Sequence, residues 1–158
     1  MPDLLVNLSK LPPLNPLLAE LENQGIRIRR AQPFEISALR TFIEQEFSRS
    51  WADEVSVGFA NKPVSVFIAT IDAKIVGFAA YECTRRNFFG PTGVSKIQQG
   101  RGIGTALLIA SLQGLSEMGY VYGIIGGAGP VEFYQKKVGA IEIADSTPGI
   151  YTDLLRYQ

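Results

Sequence analysis

Between residues 97 and 108, glycines at 100, 102 and 104 alternate with Arg101 and Ile103 and run straight into Thr105, Ala106 and Leu107. From Ile103 onward, apolar or small residues recur every three or four positions (Ile103, Ala106, Leu107, Ala110, Gly114, Met118), which predicts a helix with one buried face. Glycine lets the chain turn sharply and approach a ligand with no Cβ in the way. The first N–H groups of a helix lack internal partners and sit at the positive end of its dipole, so a phosphate-bearing ligand is the natural occupant. A Walker-type loop is excluded, because Gly104 is followed by Thr105 with no lysine. A Gly-x-Gly-x-x-Gly dinucleotide loop fails as well: counting from Gly100 or Gly102 puts Thr105 or Leu107 where the third glycine belongs.

What does fit is Gln/Arg-x-x-Gly-x-Gly/Ala, here Gln99-Gly100-Arg101-Gly102-Ile103-Gly104. At this point the sequence resembles the GNAT-type N-acetyltransferase superfamily, whose members bind the pyrophosphate of acetyl-CoA with this loop. Two further stretches carry the resemblance. Residues 70–78 are similar to the hairpin of the family's second and third strands, and residues 131–140, containing Phe133-Tyr134 and Gly139, to its "FY-x-x-x-G-F" block.

The resemblance implies an α+β, three-layer GNAT-like fold. Its central mixed sheet of about six or seven strands has helices on both faces and is splayed between the strands near 88–94 and 120–125. It implies acetyl-CoA as cosubstrate, with no metal. The Val94 N–H would bond the acetyl oxygen, and the amides of Gln99, Gly100, Arg101, Gly102, Ile103, Gly104 and Thr105 would take the pyrophosphate, Arg101 or Lys96 adding charge. Tyr134 would give a proton to the departing thiolate. Some family members carry a glutamate base on the strand before the loop, but that position here is Phe88. Glu82, Asp53, Glu54 or a water is left as proton acceptor, with Trp51 and Glu54 walling the acceptor site. Where the family often has asparagine, this chain has Gly127-Ala128-Gly129-Pro130.

Composition narrows the chemistry further. Fifteen basic residues balance fifteen acidic ones, so nothing in the charge favours nucleic acid or an anionic membrane as partner. With no histidine, Ser-His and Cys-His pairs and His-ligated zinc are excluded, and proton transfer falls to Glu, Asp, Tyr, Lys or water. The single cysteine, Cys83, forbids an internal disulfide and reads as a packed thiol. The first residues lack a basic stretch and a long apolar run, and no window reaches the ~18 apolar residues of a membrane helix, so a soluble cytoplasmic protein is expected.

These residues need elements to place them. Residues 4–8 suit a short strand, and 15–25 a helix with leucines at 17, 18 and 21 and a terminating Gly25. Those leucines must cover either the main domain or a second subunit, as in a homodimer. The chain accordingly divides into an N-terminal extension, 1–25, and an acetyltransferase domain, 26–158. A strand is expected at 26–31 and a helix at 33–47, with Phe34, Ala38, Leu39, Phe42, Ile43 and Phe47 on its apolar stripe. A shorter helix follows at 51–59, then strands at 64–71 and 74–81 joined by a tight turn at Asp72-Ala73. The strand at 88–94 contains Gly90-Pro91, where it should bulge or lose its partner. After the 103–118 helix come a strand at 120–125, a helix at 130–138, and strands at 140–144 and 150–155. The activity implied is direct transfer of an acetyl group to a primary amine of a small molecule or side chain. The alternative is an acyl-CoA-binding sensor without turnover, which Phe88 and the missing asparagine keep open.

Overall fold

The computed structural model describes residues 1–156. They run as β1 (Leu4–Asn7), α1 (Asn15–Asn23), β2 (Ile26–Arg30), α2 (Ile36–Glu46), α3 (Arg49–Ser56), β3 (Val66–Ile71), β4 (Lys74–Tyr81), β5 (Phe88–Val94), α4 (Ile103–Glu117), β6 (Tyr122–Ile125), α5 (Val131–Val138) and β7 (Ile141–Glu142). The seven strands form one sheet in the order β2-β3-β4-β5-β6-β1-β7, antiparallel throughout except between β5 and β6. This is the expected mixed sheet covered on both sides. One face packs against α1, α4 and α5 through Leu21, Leu107, Leu112, Tyr134 and Val138. The other packs against α2 and α3 through Leu39, Ile43, Ala52 and Val55. Burial on both faces explains why β3 and β4 read as continuous apolar runs. Among the described residues, no helix is long and apolar enough to cross a membrane.

The stretch read as an extension is built into this sheet. β1 lies between β6 and β7, with Leu4 opposite both Ile125 and Glu142. Leu4, Val6 and Leu21 are fully buried, so the leucines of α1 cover this chain's own sheet.

The interruption expected at Gly90-Pro91 positions the site. β5 and β6 pair through Phe88–Ile124 and Phe89–Ile125, and there the ladder stops. Proline has no N–H to continue it, β6 itself ends at Ile125, and the β4–β5 register slips between Ala79 and Tyr81. From Gly90 to Val94, β5 has no strand paired on its β6 side, which leaves a gap there.

Two expectations are corrected. Phe34 is 84% exposed, because residues 33–35 form a 3-10 turn ahead of α2 and the buried stripe starts later, at Leu39 and Ile43. Residues 150–155 are not a strand. β7 is two residues long with Ile141 exposed, and Pro148 followed by Gly149 (φ +58°) bends the chain away from any ladder.

Candidate active site

The loop before α4 leaves its amides free. Among the described residues, no intramolecular acceptor takes the N–H groups of Gly100, Arg101, Gly102, Ile103, Gly104 or Thr105; the first bond of the helix runs from the Ala106 N–H to the Gly102 carbonyl. Gly100 and Gly102 adopt φ of +83° and +87°, a conformation that a side chain would strain. The Gln99 N–H is taken up by the Lys96 carbonyl at 3.4 Å, so the free run begins one residue later than expected. A cavity of about 300 Å³ sits on this run, lined by Gly100, Gly102, Ile103, Gly104, Thr105 and, from α5, Phe133 and Lys137. Lys137 is the basic side chain that lines this cavity; Arg101 and Lys96 do not line it. The Arg101 guanidinium instead donates to Gln98 Oε1 (2.6 Å) and Gln24 Oε1 (3.3 Å) on the exposed side.

Val94, Gln99, Gly104 and Phe133 also line a second cavity of about 890 Å³ that occupies the gap between β5 and β6. Its walls come from both faces of the sheet. Leu108, Phe133 and Tyr134 stand on one side, and Trp51 and Glu54 on the other. The Ser95 N–H donates to the Val76 carbonyl at 2.8 Å, and Gly77 faces Val94 across the β4–β5 pair. Pairing in an antiparallel ladder alternates sides, so the Val94 N–H points away from β4, into the gap. Gln99 Nε2 donates to the Val94 carbonyl at 3.2 Å and ties the loop to the strand end.

Tyr134 is 6% exposed, packed edge-on against Phe89 and Phe133. Its hydroxyl has no hydrogen-bond partner among the described residues, and the side chain lines the large cavity. Burial pushes the phenol up to about 12, so it keeps its proton at any neutral or mildly alkaline pH.

The carboxylates divide clearly. Glu82, expected as a candidate base, lines neither cavity. Its backbone lies at φ +57°, and its two oxygens accept from the Asn87 N–H (2.7 Å) and the Tyr120 hydroxyl (2.6 Å). It fastens the β4–β5 connection, and that expectation is corrected. Asp53 is exposed and ion-paired to Arg40 at 2.9 Å. Glu54 does reach the cavity, half-buried, its Oε1 accepting from the Thr84 hydroxyl. Trp51, one helical turn earlier, also lines it, stacked on Phe47 (5.5 Å between ring centres) and edge-on to Phe78.

Beside Gly126-Gly127, sequence reasoning missed the groups that arrive from elsewhere. The Gly127 N–H is bonded to Asp3 Oδ1 (2.7 Å) and the Ala128 N–H to the Pro2 carbonyl (2.8 Å), so these amides do not stand in for the missing asparagine. Thr147, Pro148, Tyr151 and Leu154 come in from the C-terminal segment to close the cavity wall. Burial, then the nearby Glu54 and Asp3 carboxylates, raise the Tyr151 phenol above its ordinary value.

No family model and no curated relative matches the sequence. The fold, in contrast, is shared with solved structures. A GCN5-related N-acetyltransferase from Sphaerobacter thermophilus aligns over 90% of this chain and 48% of its own, with a TM-score of 0.69 and 18% identity. The GCN5-related glucosamine N-acetyltransferase region of a fungal multi-domain GH3 beta-N-acetylglucosaminidase aligns over 90% of this chain and 19% of its own, with a TM-score of 0.71 and 15% identity. A GNAT family acetyltransferase from Brucella melitensis, solved in complex with acetyl-CoA, aligns over 76% and 88%, with a TM-score of 0.57 and 21% identity. This chain therefore spans less than half the length of the first two. At these identities the likeness is one of fold.

Proposed function

We propose that this chain, which has the fold of the GCN5-related N-acetyltransferases, carries an acetyl group from acetyl-CoA to a primary amine held in the same cleft. One observation supports this above the others: the free amides of residues 100–105 and the inward N–H of Val94 open onto adjoining cavities in a parted sheet. The residues suit the donor. Six unpaired amides at a helix N-terminus, with Lys137 beside them, match a diphosphate in charge and in hydrogen-bonding sense. The gap beside Val94 accommodates a thin arm, and the Val94 N–H is a donor for a carbonyl oxygen.

Bound acetyl-CoA supplies an electrophilic thioester carbon. In the transfer, the amine nitrogen bonds that carbon, the carbon–sulfur bond breaks, one proton leaves the nitrogen and one joins the sulfur. The Val94 amide stabilises the carbonyl oxygen as negative charge grows on it, a kind of contact worth about 10²- to 10³-fold in rate. Glu54 accepts the proton from nitrogen, directly or through a water, and the Tyr134 hydroxyl delivers one to sulfur, each then re-equilibrating with solvent. Trp51 and Glu54 hold the acceptor.

A second reading, acyl-CoA binding without turnover, is favoured by one feature: neither β4 nor β5 presents a carboxylate beside the gap, since Phe88 stands there and Glu82 is engaged elsewhere. Free thiol released from acetyl-CoA across a panel of amines, measured beside calorimetric binding, decides between the two. Release supports the enzyme, binding with no release on any amine leaves the sensor, and no binding at all sinks both.

A further inference from the structure

The end of the large cavity remote from the free amides has a one-sided chemistry, and the inference drawn from it rests on the transfer reading above. Among the described residues, Glu54 is the one carboxylate side chain that lines it and no lysine or arginine side chain joins it, while Asp3 and Arg85 act on Tyr151 from beyond the lining. Around Glu54 stand Trp51, Pro148, Tyr151 and Leu154, with Thr84 as a hydroxyl already committed to it. Trp51 is a fixed wall. Its ring is held by Phe47 and Phe78, and Phe47 fills the space left by Gly93, where a Cβ would come within 2.4 Å of the Phe47 ring.

We propose that the acceptor is a primary monoamine with an apolar body of about the size of an aromatic ring. Its nitrogen is recognised by the free oxygen of Glu54 and its body lies between Trp51 and the Tyr151–Leu154 segment. A second ammonium, or a ring of hydroxyls, would meet few open partners here, since Thr84 is committed to Glu54 and the Asp3 carboxylate near Tyr151 already accepts from the Gly127 N–H, and poorly paired polar groups are costly to bury. An apolar body, by contrast, gains the surface it removes from water. The cavity therefore selects against polyamines and amino sugars and for amines such as 2-phenylethylamine.

The full chain tests this with four probes, 2-phenylethylamine, spermidine, glucosamine and a lysine-containing peptide, by thiol release from acetyl-CoA. Acetyl-CoA binding is measured separately by calorimetry. The expected result is kcat/KM at least about tenfold higher for 2-phenylethylamine than for any of the other three, the factor set by burying a ring-sized apolar body. Trp51 is the sole tryptophan, so amine binding is also read without turnover. 2-Phenylethylamine should perturb the intrinsic fluorescence, and Glu54→Gln should weaken that response about tenfold or more while leaving acetyl-CoA affinity unchanged. Leu154→Asp, at a position 63% exposed, should raise kcat/KM for spermidine relative to 2-phenylethylamine. Equal or faster turnover of glucosamine, spermidine or the peptide overturns the inference while the transferase reading stands. So does an unchanged fluorescence titration in Glu54→Gln, or a preference for octanoyl-CoA over acetyl-CoA, which would give the apolar end to the acyl chain. Failure to bind acetyl-CoA would instead remove the transferase reading itself.

Discussion

Gly102 and Gly104 are alike in the sequence and different in space. A Cβ at Gly104 meets nothing nearer than Val94 Cγ2 at 3.8 Å, whereas Gly102 sits at φ +87°, a conformation that penalises any side chain. Gly104→Val should therefore fold and still bind acetyl-CoA about 100-fold more weakly or worse, because the side chain occupies the approach to the free amides. Calorimetry on a variant with a wild-type melting curve checks this, and retained affinity would displace the diphosphate from the loop. Tyr134→Phe should lower kcat by about 10²-fold or more with little change in acetyl-CoA affinity, as loss of a general acid does. A phenol held near 12 stays protonated far into alkali. Raising pH should thus increase kcat/KM as the amine loses its proton near ~10.4, with no Tyr134-dependent fall below that point. A decline setting in near pH 9 would put the proton donor elsewhere. Cys83, its thiol pushed up to about 11 by burial, is about one part in a thousand thiolate at pH 8 and should resist iodoacetamide in the native protein. The glycine spacing and Tyr134 could be read along the chain because each belongs to one local pattern. Lys137, Thr84 and Tyr151 could not, because only folding brings them to the loop and to Glu54. Glu82 misled for the opposite reason: it is near Phe88 in sequence, but its left-handed backbone turns the carboxylate back onto Asn87 and Tyr120.

Among the elements, α4 packs across the middle of the sheet, and Gly114 faces the Tyr81 ring. A Cβ there would come within 2.4 Å of the Tyr81 ring. That ring is 2% exposed and its hydroxyl accepts from Arg30, so it has little room to yield. Helix propensity alone makes Gly114→Ala stabilising by about 1 kcal/mol. Overpacking against a fixed ring opposes this by about 1–3 kcal/mol, and the net effect expected is destabilisation, read as a lower urea midpoint. A higher midpoint would mean that α4 rides further from the sheet. The β3–β4 hairpin was legible because a two-residue turn between apolar runs has few alternatives, and Asp72 and Ala73 do take the required positive φ of 50° and 61°. The expected final strand was not, since apolar residues beside Pro148 and Gly149 look the same whether they pair in a sheet or line a cleft.

At the scale of the whole molecule, the first residues are structural members rather than an appendage. Leu4→Ala should cost about 2–5 kcal/mol, the range for a buried leucine that leaves a cavity. Removing residues 1–25 should abolish cooperative unfolding instead of yielding a trimmed domain, as followed by circular dichroism and limited proteolysis. A stable, cooperatively folding remnant would contradict the place of β1 between β6 and β7. The sequence offered a strand at 4–8 but no sign of its partner, because strand order depends on pairings across the length of the chain. The parted sheet has a consequence of its own. Alternation along β5 turns the Thr92 and Val94 amides toward a space with no neighbouring strand, so in the free protein they should trade hydrogen for deuterium fast despite lying mid-molecule. Slowed exchange at Val94 on adding coenzyme A would record an occupied cleft residue by residue, with no turnover needed.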